Sequence, residues 1–260
     1  MAKPAWKKFQ HADKAFVYAG AALKKNWERL HCGDCEPFPP DAAVQEAWRL
    51  YHQGEFSKAC EAGLAAGVDG YNAANKAAMI YATYLEDDDK RKLDLFQSIA
   101  ARCEELQQAQ PTNANAFYFQ AYALGRYSQG ISVLNALTQG LGGRIQTALN
   151  AALKLAPKHA EAHTALGAYH AEVVDKVGAL IGKLTYGASK ELALQHFATA
   201  LKLAPDSAIA RIEYANALVM LFGQGKMTEA IALYEKAASA TPVEAMECLD
   251  VELAKSELED

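Results

Sequence analysis

The sequence predicts an all-α solenoid of antiparallel helix pairs, and three observations carry that prediction. The segment Ala152-Leu153-Lys154-Leu155-Ala156-Pro157 returns as Ala200-Leu201-Lys202-Leu203-Ala204-Pro205, 48 residues further on, a period in the range of helical repeats. Alanine is abundant, β-branched runs are few and only 8 prolines interrupt the chain, a composition that favours helix because alanine loses no side-chain entropy when the backbone coils. No stretch alternates polar and apolar residues over the length of a strand. Stacked helix pairs bury one continuous core and leave a long surface free, so the expected role is binding rather than catalysis.

Composition narrows the class of partner. Hydrophobic residues make up 51% and charged residues 22% of the 260, ordinary values for a globular chain with a sizeable core. A net charge of −5 argues against nucleic acid, which needs a basic surface to displace counterions from phosphates. The charge is uneven: residues 1–29 carry seven bases against two acids, and residues 243–260 carry seven acids against one base. The two ends therefore suit each other, in one chain or as a homo-oligomer pairing a basic N-terminal with an acidic C-terminal helix. No apolar run is long enough to cross a bilayer, and the first residues lack the order of a secretion signal. Five cysteines fit a reducing compartment better than a disulfide framework, so a cytoplasmic location is expected.

In chain order, residues 1–30 are expected to form an N-terminal amphipathic helix, since Phe9, Phe16, Leu23, Trp27 and Leu30 recur every three to seven positions. That face suits a cap laid along the solenoid or a basic surface helix, and Ala12, Ala15, Ala19 and Gly20 make it less apolar, which counts against membrane contact. Residues 31–40 read as a Cys/Pro-rich linker. Within it Cys32 and Cys35 have the spacing of a zinc or redox pair, while Cys60, Cys103 and Cys248 supply no second pair, leaving two free thiols as the default. The helical repeat domain is expected over 41–242, as about four hairpins. Residues 41–66 form a hairpin turning at Gly54, a helix follows over 71–85, and another runs from Lys92 to Gln108 before Pro111. The acids Glu86-Asp87-Asp88-Asp89 read as the acidic start of that helix rather than a cation site. Residues 243–260 read as an acidic C-terminal capping helix with Met246, Leu249 and Leu253 on one face.

The central segment carries a recognisable pattern. His163, Leu166, Gly167 and His170, followed by Ala193, Phe197, Ala200 and Pro205, resemble the signature of the tetratricopeptide repeat (TPR), as do Tyr214, Ala215, Leu218, Ala230, Tyr234, Ala237 and Pro242. Gly167 and Ala200 allow close helix approach and Phe197 fills the gap beside them. The chain departs from the pattern by spacing Gly167 from Ala193 by 26 residues and Ala121 from Ile145 by 24. Both insertions look helical, with Ile131, Leu134 and Leu137 in one and Val174, Val177, Ile181 and Leu184 in the other. Each lengthens the first helix of its pair or adds a helix, stopped by Gly140 or Gly187.

The run from Ala121-Tyr122-Ala123-Leu124-Gly125 through Ser128, Ile131, Leu134, Gly140, Leu149, Ala152 and Leu155 to Pro157, with Trp48-Arg49-Leu50, resembles the regulator-of-microtubule-dynamics family. The resemblance implies a TPR-like right-handed solenoid of antiparallel helix pairs with lengthened helices and N- and C-terminal capping helices, and no catalytic residues to carry over. It does not bring microtubule binding with it, a label of distant members whose membrane anchor has no counterpart here. A lesser likeness is to the helical T component of TRAP transporters, which implies the alternative function of a small-ligand or lipid-binding protein with a cavity between lengthened helices.

In the TPR architecture the first helix of each pair lines the concave side. That places Tyr118, Tyr122 and Arg126, then Thr164 and Glu172, then Asn216 on the expected partner-binding face for a peptide or protein segment. The two tyrosines serve equally well as packing against a neighbouring helix. Gripping a terminal carboxylate with lysines and asparagines is disfavoured, because Asn216 has no matching inward lysine. His159 and His163 are four apart, but Glu161 is misplaced for a zinc-hydrolase motif, and no phosphate loop or nucleophile elbow occurs. The reading is therefore a non-catalytic scaffold without cofactor.

Overall fold

Helix follows helix in the computed structural model, which describes residues 5–259 apart from the side chains of Val133, Leu134 and Leu137. Expectations that fell on Lys3, Leu134, Leu137 and Asp260 lie outside the described residues. The elements are α1 (Ala21–Leu30), α2 (Ala42–His52), α3 (Phe56–Ala65), α4 (Tyr71–Tyr84), α5 (Asp89–Ala109), α6 (Ala114–Gln129), α7 (Val133–Thr138), α8 (Leu141–Leu155), α9 (Ala160–Val177), α10 (Ala179–Tyr186), α11 (Lys190–Leu203), α12 (Ala208–Phe222), α13 (Met227–Ala238) and α14 (Ala245–Glu257). No strand occurs among the described residues. In chain order these make five pairs, because α4 and α5 form a pair of their own.

Local chemistry fixes where the helices start. Asp41, Asp88, Asn113, His159, Ser189 and Ser207 each accept a backbone N–H of the following first turn, satisfying a donor that the helix itself leaves unmade. Asp88 thus explains the acidic run before α5. Glu86 beside it is buried and satisfied, accepting from the Tyr81 hydroxyl at 2.9 Å and pairing with Arg91 at 2.8 Å. The insertions form the separate short helices α7 and α10 rather than long continuous ones. Gly178, at φ +82°, breaks the chain between α9 and α10, and Gly140 and Gly187 follow α7 and α10 in left-handed conformation.

The chain forms two compact units. The first comprises residues 5–30, 36–148 and 243–246, and within it α2 to α6 pack each on the next. Its centre is α4, buried without a break from Asn72 to Ala82 because alanines let α3 and α5 come close. Gly63 shows how close: a Cβ there would sit 2.7 Å from the carbonyl oxygen of Gly70. The N-terminal segment departs from the continuous helix expected over 1–30. Only Ala21–Leu30 is α-helical, preceded by a single 3-10 turn at Lys14–Phe16, because Gly20 stands at φ +56° and interrupts the chain. The apolar residues still find the core: Phe9, Phe16, Leu23, Trp27 and Leu30 are all buried. Trp6 stacks on Tyr81 with centroids 4.1 Å apart, and Trp27 meets Trp48 edge-on at 6.0 Å.

The second unit comprises residues 31–35, 149–242 and 247–259. Here α9 packs on α11 and α12, and α12 on α13. Gly167 lies against the ring of Phe197, where a Cβ would come within 2.9 Å, and Phe197 stacks on Tyr214 at 5.1 Å. Val251 and Ala254 of α14 join the core made by Ile212, Leu218, Ala230 and Tyr234, so the C-terminal helix closes the last pair.

Candidate partner-binding site

Polar and aromatic groups face one another in the first unit where α4 and α6, the first helices of successive pairs, touch. On α4 the positions Asn72, Lys76, Met79 and Thr83 share one helix face; on α6 so do Asn115, Tyr118, Tyr122 and Arg126. Two bridges tie these faces together. At the helix starts the carboxylate of Glu36 accepts from the side-chain amides of Asn72 at 2.8 Å and Asn115 at 2.6 Å. Near the ends, the hydroxyls of Thr83 and Tyr122 are 2.9 Å apart.

The groups differ in how much they leave free. Asn72 also donates to Oδ1 of Asn113, the residue that caps α6, which fixes its amide orientation and leaves its own Oδ1 buried without a hydrogen bond. Lys76 is buried, its ammonium 5.9 Å from the centre of the Tyr51 ring. Tyr118 is buried against Phe119 and meets Tyr122 edge-on at 6.3 Å. Tyr122 and Arg126 are half-buried, the guanidinium lying 5.3 Å over the ring and donating to Gln129 at 3.2 Å. Burial raises the phenol of Tyr81, which the Trp6 ring covers.

The model of the family "Regulator of microtubule dynamics protein 1-3" matches residues 43–259. The chain belongs to that family. Among solved structures this family member is similar to a thermophilic TPR protein of Thermus thermophilus, with a TM-score of 0.58 over 82% of this chain and 97% of the other, at 16% identity. That likeness shows the fold alone. Among curated proteins, none matches the sequence.

The other expected site residues fall in the second unit and are engaged there. Thr164 is buried and donates back to the carbonyl of Ala160 at 3.1 Å, a bond within its own helix. Glu172 pairs with Lys176 at 3.3 Å, and Asn216 accepts from the hydroxyl of Tyr234, whose phenol burial pushes up to about 12. His159 caps α9 through Nδ1, 3.0 Å from the N–H of Ala162. His163 bonds His196 between Nδ1 atoms at 2.9 Å, and His170 stacks on His196 at 5.6 Å. Burial lowers all three imidazoles, His196 to about 4, where the neighbouring His163 and His170 add to the effect.

Cys32 and Cys35 lie on a turn closed by the bond from the Cys35 N–H to the His31 carbonyl at 2.9 Å. Burial, then the charges of Asp34 and Glu161, push the Cys35 thiol up, away from the thiolate that metal binding or redox chemistry needs. Among the described residues no group of three or more metal-binding side chains converges. The charge asymmetry of the chain ends is partly spent inside the first unit: Lys7 pairs with Asp87, and Glu244 is buried against His52.

Sequence reasoning missed Glu36, Asn72, Lys76, Thr83 and Asn115. The signal was present in polar residues spaced by four and seven along the alanine-rich α4, but the acid that joins them comes from the linker, 36 residues before Asn72. Only the fold brings it there.

Proposed function

We propose that this chain is a non-catalytic protein-interaction scaffold that binds a peptide or protein segment on the face shared by α4 and α6. What supports the reading is the pairing of Tyr122 and Arg126, half-buried, mutually oriented and held from below by Tyr118 and Thr83. An aromatic ring with a guanidinium laid across it is a preorganised anchor, because little rotamer freedom remains to be lost on binding. In the second unit, Glu172 and Asn216 mark the matching helix faces, with Thr164 as support.

The test is capture of partners from native cell extract with the wild-type chain and a Tyr122→Ala/Arg126→Ala variant, followed by a direct affinity measurement with whatever is captured. Loss of affinity of about tenfold or more is expected, given the usual cost of removing such anchors. Unchanged affinity in a folded variant would reject this face. Native mass spectrometry showing a tightly held small molecule and no protein partner would replace the scaffold by a small-ligand or lipid carrier.

A further inference from the structure

Helix α10 is built the wrong way round for a helix that merely packs. Its one buried residue is Gly182, which rests near Val173, Val174 and the carbonyl of Ala188, and the Ala188 N–H bonds the Gly182 carbonyl at 3.0 Å. Tyr186, one turn on, packs against the core of the second unit. At about 100° per residue, Leu180 and Leu184 then fall on the opposite side of the helix, with Ile181 and Lys183 on the two flanks. The exposures agree: Leu180 is 72% exposed, Ile181 54% and Leu184 78%. Glycines on both sides, Gly178 and Gly187, hold the helix out as a separate crest.

We propose that α10 is a membrane-docking element that inserts Leu180, Ile181 and Leu184 into the interface of an anionic phospholipid surface. The shape favours this occupant. A narrow crest of aliphatic side chains needs a matching pocket on a protein but none in a fluid acyl layer, which opens around it. The charge favours it too. From residue 176 to residue 190 the chain carries Lys176, Lys183 and Lys190 and no acid, with Asp175 and Glu191 just outside; Lys176 pairs with Glu172 and Lys190 donates to the Leu221 carbonyl at 2.7 Å, so Lys183 is the cation at the crest itself. Lys183 is exposed beside the crest, placed for its stem to lie along apolar surface and its ammonium to reach headgroup phosphates. Lys190 lies 4.9 Å over the ring of Phe222, itself 37% exposed, which extends the apolar area past the end of α10. A net charge of −5 opposes adsorption to anionic lipid elsewhere on the chain, so binding would depend on this local arrangement.

Flotation of the full chain with phosphatidylcholine vesicles, with and without phosphatidylserine, tests the proposal. The wild type is expected to float with the phosphatidylserine vesicles and to be released by high salt. A Leu180→Ser/Ile181→Ser/Leu184→Ser variant is expected to lose about tenfold or more of the vesicle-bound fraction, and Lys183→Glu to lose a smaller part. These side chains face solvent, so the variant should keep the wild-type melting temperature, which is measured alongside. Failure of the wild type to float, or undiminished flotation of the folded triple variant, overturns the proposal. So does a dimer seen by light scattering that the triple variant abolishes while no vesicle binding occurs, because a second copy of the chain would then be the crest's partner.

Discussion

The two units join their helices with different chemistry. In the first, α4 and α6 are bridged by a carboxylate between two amides and by a pair of hydroxyls. In the second, α9 and α11 meet through Gly167 under the Phe197 ring, with the imidazoles of His163, His170 and His196 grouped alongside. Small residues set how closely helices approach, and the polar groups between them need only be satisfied. Their identity is therefore free to differ between the units.

The largest expected effect breaks the apolar half of the comparison. Phe197→Ala removes a fully buried ring from the α9–α11 joint and should cost about 3–5 kcal/mol, with Phe197→Leu costing less. Denaturant unfolding gives the total, and hydrogen exchange should report faster opening in α9 and α11. A loss below about 1 kcal/mol would mean that the joint does not depend on this ring. The polar half is broken next by Glu36→Ala, which removes the acceptor shared by Asn72 and Asn115 and should cost about 2–3 kcal/mol. Faster exchange at the starts of α4 and α6, with α9 and α11 unchanged, would confirm that the bridge acts locally; Glu36→Gln, which keeps one acceptor, should sit in between.

The second unit was the more legible from sequence. Its repeat wording, the Gly167–Phe197 contact and the closing helix α14 follow from patterns local to each helix. The first unit hid more, because its organising contacts join distant residues: Trp6 to Tyr81, Glu36 to Asn115, Tyr18 to the carbonyl of Val243. Spacing on one helix cannot reveal a partner supplied by another segment. The same limit explains why the apolar pattern of residues 174–184 read as helix correctly but gave no sign that Val174 is buried while Ile181 and Leu184 face solvent.

A smaller effect sharpens the comparison through pH. Burial holds His163, His170 and His196 below the ordinary value of 6.5, His196 at about 4. The unfolded chain therefore takes up protons before the native one does. The stability these groups lend is present above pH 6.5 and is lost as pH falls towards 4. Allowing for the solvent that reaches the half-buried rings, the loss should be ~1 kcal/mol. His196→Gln should flatten the melting temperature against pH across that window. An unaltered slope would place the acid sensitivity elsewhere.

The smallest expected effect separates stability from binding at the α4–α6 face. Tyr122→Phe deletes the hydroxyl bridge to Thr83 and keeps the ring under Arg126, so it should cost about 0.5–1 kcal/mol in unfolding free energy. If the ring and guanidinium are the anchor, partner affinity should stay near wild type in Tyr122→Phe and fall in Tyr122→Ala. Equal losses of affinity in both variants would show that the hydroxyl bridge, and not the aromatic face, is what a partner needs. The stability cost alone cannot distinguish these outcomes, since the bridge holds the two helices whether or not anything binds to them.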